Sequence, residues 1–282
     1  FTCTNFFGFN TSYTGRIASF TGDELIIGYI FSFLILFSFG IFNTRFRKIY
    51  SILIIYIIII VSFFIGERSN FLKLITILII FSSFHYYFTN KFKKIKTLSF
   101  LFLFIFLSAS FLILTKNTNQ AKKLYNFPLT IINNNSENFS LKENFYKSNH
   151  APHYLTAIKI FLNYPVFGIG IDNFKTESKK QEYDNPKLKY SKNRSSTHPH
   201  QIYLEILAEI GMVGFLYFML IFIWTFGIGI TAYLKELNLN LLGHLMLHTF
   251  FIFPILPSGS FFGTVYGLPF WFNLSILIYL AK

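Results

Sequence analysis

Seven stretches of this chain are apolar over nearly the length that a bilayer demands. They fall at about 25–42, 49–65, 71–88, 97–115, 202–234, 241–255 and 263–281. A helix crosses the hydrocarbon core with about 20 mostly apolar residues, so each stretch predicts a span. The stretch at 241–255 is the shortest, and the one at 202–234 is long enough to tilt or to project beyond the membrane. Only 13% of residues are charged and the mean hydropathy is +0.49, where a soluble domain carries about 25% charged residues. The predicted fold class is therefore all-α, a polytopic integral membrane helical bundle. Residues 1–115 form a membrane part with four spans, 116–201 a polar loop, and 202–282 a membrane part with about three spans. The chain opens on Phe1 in a polar stretch without a signal-peptide pattern. It reads as a piece that earlier spans precede.

The formal net charge is +13. Such a balance can signal nucleic acid, but position gives these charges another use. Arg45, Arg47 and Lys48, then Lys91, Lys93, Lys94 and Lys96, then Lys235 and Lys282 all fall on one side when the spans are counted. Lys and Arg in short loops mark the cytoplasmic side. The opposite side holds residues 1–24, the hinge Gly66–Asn70, the long polar segment and the loop Pro257–Phe261. The polar segment carries 13 Lys/Arg against 6 Asp/Glu, and long loops escape the charge rule. The partner implied is the lipid bilayer, with no nucleic acid. Cys3 stands alone, so neither an internal disulfide nor a thiolate metal site can form.

Within the polar segment, Tyr154, Ala157, Ile158, Phe161 and Leu162 follow helical spacing, with Lys159 and Asn163 on the other face. This predicts an amphipathic helix against the membrane surface, stopped by Pro165 and followed by a tight turn at Gly168-Ile169-Gly170. Residues 179–196 read as looser, polar and mobile.

The residues able to do chemistry gather on the non-cytoplasmic side. Arg16 precedes the first span and Arg68 lies in the hinge. Arginine at a membrane edge can hold phosphate or pyrophosphate through bidentate hydrogen bonds, or can be an ordinary snorkelling charge. His150 and His153 open the amphipathic helix, and His198 and His200 stand at the mouth of the fifth span. A histidine near neutral pH can take a proton from a hydroxyl. His198 and His200, two apart without an acidic third ligand, do not match zinc spacing, so no metal is expected. Glu205 and Glu209 lie one helical turn apart inside the fifth span. They either support His200, bind sugar or hold structure. His85, His244 and His248 fall in apolar spans and read as packing residues or as polar contacts between helices. No Walker loop, dinucleotide fingerprint or nucleophile elbow occurs, which argues against a nucleotide-driven pump and a serine hydrolase.

His200-Gln201, nine residues, then Gly211-Met212-Val213-Gly214 resembles the signature of the O-antigen ligase and polymerase family: His, then Asn, Ser or Gln, nine residues, and Gly-x-x-Gly. Pro165-Val166-Phe167-Gly168-Ile169-Gly170, with Phe174 after it, is similar to the family's Pro-x-x-Gly-x-Gly turn. Glu67-Arg68-Ser69 resembles its arginine-bearing hinge, and Gly15–Glu24 a further outer segment. The likeness runs from about residue 15 to 265. It implies a GT-C-like, metal-independent inverting glycosyltransferase of the bacterial inner membrane, without cofactor, its active site facing the periplasm. The implied donor is a glycan on undecaprenyl pyrophosphate. The implied acceptor is a sugar hydroxyl, on lipid A-core for a ligase or on another lipid-linked repeat for a polymerase. His200 would be the general base, and Arg16 and Arg68 would hold the pyrophosphate. Where members often carry an arginine, this chain has His150, a weaker candidate for the same task. His198, Glu205 and Glu209 are possible supports. Gly168 and Gly170 form the turn, and Gly211 and Gly214 are expected to let the fifth span pack closely against a neighbour. The rival readings are a small-anion transporter using the same basic face and a non-catalytic partner in polysaccharide export.

Overall fold

The computed structural model describes residues 26–45, 48–89, 113, 115–122, 124 and 141–282. The described residues are helical throughout, with loops between and no strands. The chain divides into two compact units. Arg16, Cys3 and most of the 97–115 stretch lie outside the described residues.

The first unit comprises residues 1–135, 229–250 and 279–282. Its helices α1 (Ile27–Arg45), α2 (Lys48–Ile65) and α3 (Arg68–Thr89) pack against one another. Gly66, at a positive φ of 83°, reverses the chain between α2 and α3. Glu67 locks the hinge. Its buried carboxylate accepts the Gly28 backbone N–H (2.8 Å) and the Asn70 side-chain amide (2.7 Å). The N-terminus of α1 thus gains an acceptor for one of its free donors. His85 Nδ1 meets the Tyr233 hydroxyl at 2.7 Å, a polar contact between helices, whereas His244 packs edge-on to Phe37.

The second unit comprises residues 136–228 and 251–278. It holds α4 (Leu141–Tyr146), α5 (Ala151–Asn163), α6 (Phe174–Glu177) and two 3-10 turns at Gln181–Tyr183 and Ser191–Arg194. Its core joins Ala157 and Ile160 of α5 with Phe174, Tyr183 and Ala208. The 179–196 segment, expected to be mobile, is instead pinned. Tyr183 and Leu188 are buried, and the Arg194 guanidinium bonds Asp184 (3.3 Å) and the Lys179 carbonyl (3.2 Å). Ser191 also donates to Asp184.

Three further helices follow: α7 (Ile202–Glu236), α8 (Leu239–Phe251) and α9 (Thr264–Leu280). Of all the described helices, α3 and α7 are long and apolar enough to cross a membrane; Ile27–Phe39, Ile54–Ile65 and Thr264–Leu280 are apolar but shorter. Helix α8, where the sixth span was expected, has 13 residues. That is roughly 20 Å of helix against a core of about 30 Å.

Candidate active site

The site begins with a helix cap. Gln201 stands just before α7, and its side-chain oxygen accepts the Leu204 N–H at 2.8 Å. This is an N-cap bond, which satisfies one of the free donors at the start of the helix. To enter the helix from this cap, His200 adopts a positive φ of 58°. Its carbonyl accepts the Ser258 N–H at 3.0 Å. Glu205, one turn into α7, accepts from the Ser260 hydroxyl (2.5 Å) and the Phe261 N–H (2.8 Å). The 257–261 loop is therefore tied to α7 on both sides of the cap.

Around His200 the second unit gathers three more imidazoles. Ring centroids lie 4.3 Å away for His198, 4.9 Å for His153 and 5.9 Å for His150. His153 is buried, with its Nδ1 3.2 Å from the Ser196 hydroxyl. His150 precedes α5 and stacks on Tyr154. Burial first, then the neighbouring histidines His198, His153 and His150, push the pKa of His200 down to about 3. Burial chiefly lowers His198 to about 4 and also lowers His153. At neutral pH these three rings are uncharged, so His200 offers a free lone pair. Among the described residues, no group of three or more His, Cys, Asp or Glu side chains is arranged to hold a metal ion.

The lower part of the site is a locked break in α7. Gly211 has φ 66° and ψ −169°, a conformation essentially restricted to glycine. The helix stops there and restarts. The backbone groups released by the break are taken up by the 165–170 turn. Ile169 and Gly170 donate to the carbonyls of Ala208 and Glu209 (3.1 and 2.8 Å), and Met212 and Val213 donate to those of Pro165 and Val166 (2.8 and 3.2 Å). The Glu209 carboxylate accepts from the N–H groups of Asp172 (2.9 Å) and Phe174 (3.1 Å). The approach is too close for a side chain. A Cβ on Gly211 would lie 2.3 Å from the Val166 oxygen, and one on Gly168 would lie 2.4 Å from the Glu209 backbone. Gly211 does permit close packing, but its neighbour is this turn. Gly170 also has a positive φ, and Gly214 lies within the restarted helix beside Ile210.

The structure thus brings His150, His153, His198 and His200 together and gives Glu205 and Glu209 backbone loops to hold. Arg68 begins α3 in the first unit, exposed, and lines a small open cleft together with Gln120 and Leu124. His153, given no role of its own by the sequence, joins the cluster through its spacing, three residues after His150.

These features define a helical membrane protein with a histidine cluster at the head of its longest described apolar helix. The model of the O-antigen ligase family matches residues 33–219, about two thirds of the chain, and the chain belongs to that family. The match includes Arg68, the 165–170 turn, His200, Gly211 and Gly214. Comparison with curated proteins gives no match.

Proposed function

We propose that this protein transfers a polysaccharide from undecaprenyl pyrophosphate to a sugar hydroxyl of lipid A-core, at the periplasmic face of the inner membrane. The observation that carries the reading is the setting of His200, an uncharged imidazole fixed by the α7 cap within the motif that the family model covers. His200 takes the proton of the acceptor hydroxyl as its oxygen attacks the anomeric carbon. The glycosidic bond forms as the sugar–phosphate bond breaks, which inverts the anomeric centre. The lipid pyrophosphate leaves with the bond's electron pair. Arg68 and Arg16 hold it, and cationic hydrogen bonds stabilise the charge that develops. His150 is a further contact to the donor. No nucleotide is needed, because the pyrophosphate is itself the activated leaving group.

The test is expression in a strain that makes lipid-linked O-antigen but lacks its own ligase, with polysaccharide on lipid A-core read on a gel. His200→Asn is the informative variant, because asparagine tolerates a positive φ. Wild type is expected to attach polysaccharide. H200N is expected to reach wild-type levels in the membrane and attach none. Attachment by H200N would remove the proposed base. Failure by both proteins, with lipid-linked chains lengthening only in the presence of wild type, would replace ligation with polymerisation of lipid-linked repeats.

A further inference from the structure

Helix α5 carries apolar residues on two faces. One face enters the core through Ala157 and Ile160. The other points outward. Ile158 is exposed and Leu162 is 67% exposed. The turn that follows continues this surface, with Val166 and Ile171 exposed and Phe167 73% exposed. Large apolar side chains grouped in this way on a polar segment need an explanation.

The backbone supplies one. Bonds from Met212 and Val213 to Pro165 and Val166 set the turn alongside the restart of α7. From Met212 onward α7 is apolar and exposes Val213, Leu216 and Tyr217. The outward surface of α5 and the turn is therefore continuous with the outward surface of a helix able to cross the bilayer. The restarted helix, about 25 residues or roughly 37 Å, suffices for the crossing without the residues before Gly211.

We infer that the 162–171 segment is a bilayer-inserted wedge, with Leu162, Val166, Phe167 and Ile171 seated among the lipids of the leaflet that α7 enters at Met212. The occupant of this surface is lipid. Interfacial segments of this kind bury their apolar face about 5–10 Å into the headgroup and acyl boundary. Being bonded to the break at Gly211, the wedge also fixes the depth of α7. It holds the His200 end within nine helical residues, at most about 13 Å, of the lipid level. This inference stands on the membrane reading alone and does not depend on the sugar-transfer chemistry.

The test places a single tryptophan in the wedge. The two native tryptophans, Trp224 and Trp271, are replaced by phenylalanine, and F167W is compared with K187W, a substitution at an exposed polar position. Both are reconstituted in phosphatidylcholine vesicles, with or without bromine at the upper acyl carbons. F167W is expected to lose roughly half its emission to the brominated lipid and to resist aqueous iodide, as a residue buried several ångströms into the boundary would. K187W is expected to show the reverse. Quenching of F167W by iodide but not by bromine would overturn the inference and return the surface to water. Shielding from both quenchers would also overturn it, by showing that protein covers the wedge.

Discussion

At the level of single residues, the histidine cluster makes the protein sensitive to acid in a defined direction. His200, His198 and His153 all have folded pKa values below the ordinary histidine value, which is about 6.5 in an unfolded chain. Between about pH 6.5 and pH 4 the unfolded chain therefore binds protons that the folded cluster refuses. Stability from these groups is complete above about pH 6.5 and is lost as the pH falls. Thermal unfolding in detergent is expected to show a lower midpoint at pH 5 than at pH 7.5, with a smaller difference in H200N. Equal midpoints for wild type at the two pH values would mean that the rings are not held neutral by burial. For catalysis the same shift has two sides. It would keep the proposed base unprotonated across neutral pH, and it would make that base a weak one.

At the level of elements, the controlling contact is the turn at 165–170 against the break at Gly211. Gly211→Ala must strain its backbone and force a methyl group onto the Val166 carbonyl, 2.3 Å away. Since strain of this kind alone costs about 1–3 kcal/mol, G211A is expected to lose about 3 kcal/mol or more. It should also open the 165–170 turn to limited proteolysis. Gly214→Ala also crowds its neighbour, since a Cβ there would lie 2.4 Å from Ile210 Cγ1 and 2.7 Å from its Cβ, but Gly214 carries no positive φ and meets no backbone carbonyl, so a smaller loss than in G211A is expected. Equal losses in the two variants would show that Gly211 is not the locked position. Hydropathy made α7 legible as one element but hid this break, because apolar residues flank Gly211 on both sides and a single glycine is compatible with a continuous helix. The His-Gln and Gly-x-x-Gly pattern was legible. That its Gly-x-x-Gly half closes on the Pro-x-x-Gly-x-Gly turn was not, since four backbone bonds between distant segments leave no trace in periodicity. The order of 179–196 escaped composition for a similar reason. It depends on Arg194 reaching back to Asp184 and Lys179, a tertiary contact inside a stretch of polar residues. The spacing on α5 found a helix but one apolar face, whereas the protein uses two.

At the level of the whole molecule, the proposed chemistry requires that the two ends of α7 lie on opposite sides of the membrane. The helix has 35 residues, roughly 52 Å of rise before any bend at Gly211, against a hydrocarbon core of about 30 Å. Its far end carries Lys235, of the sign that short cytoplasmic loops retain. Its near end follows a segment that holds the histidines and the exposed Lys187. Single cysteines can decide this directly, because the sole native thiol, Cys3, is removable as C3S. In intact spheroplasts a membrane-impermeant maleimide is expected to label K187C at once, and K235C only after permeabilisation. Labelling of K235C alone would invert the protein and place His200 where no flipped lipid-linked glycan is presented. Equal labelling of both before permeabilisation would mean that α7 does not cross. The expected pattern would set the acceptor hydroxyl, the base and the departing lipid pyrophosphate on one face of the bilayer, which a transfer without nucleotide requires.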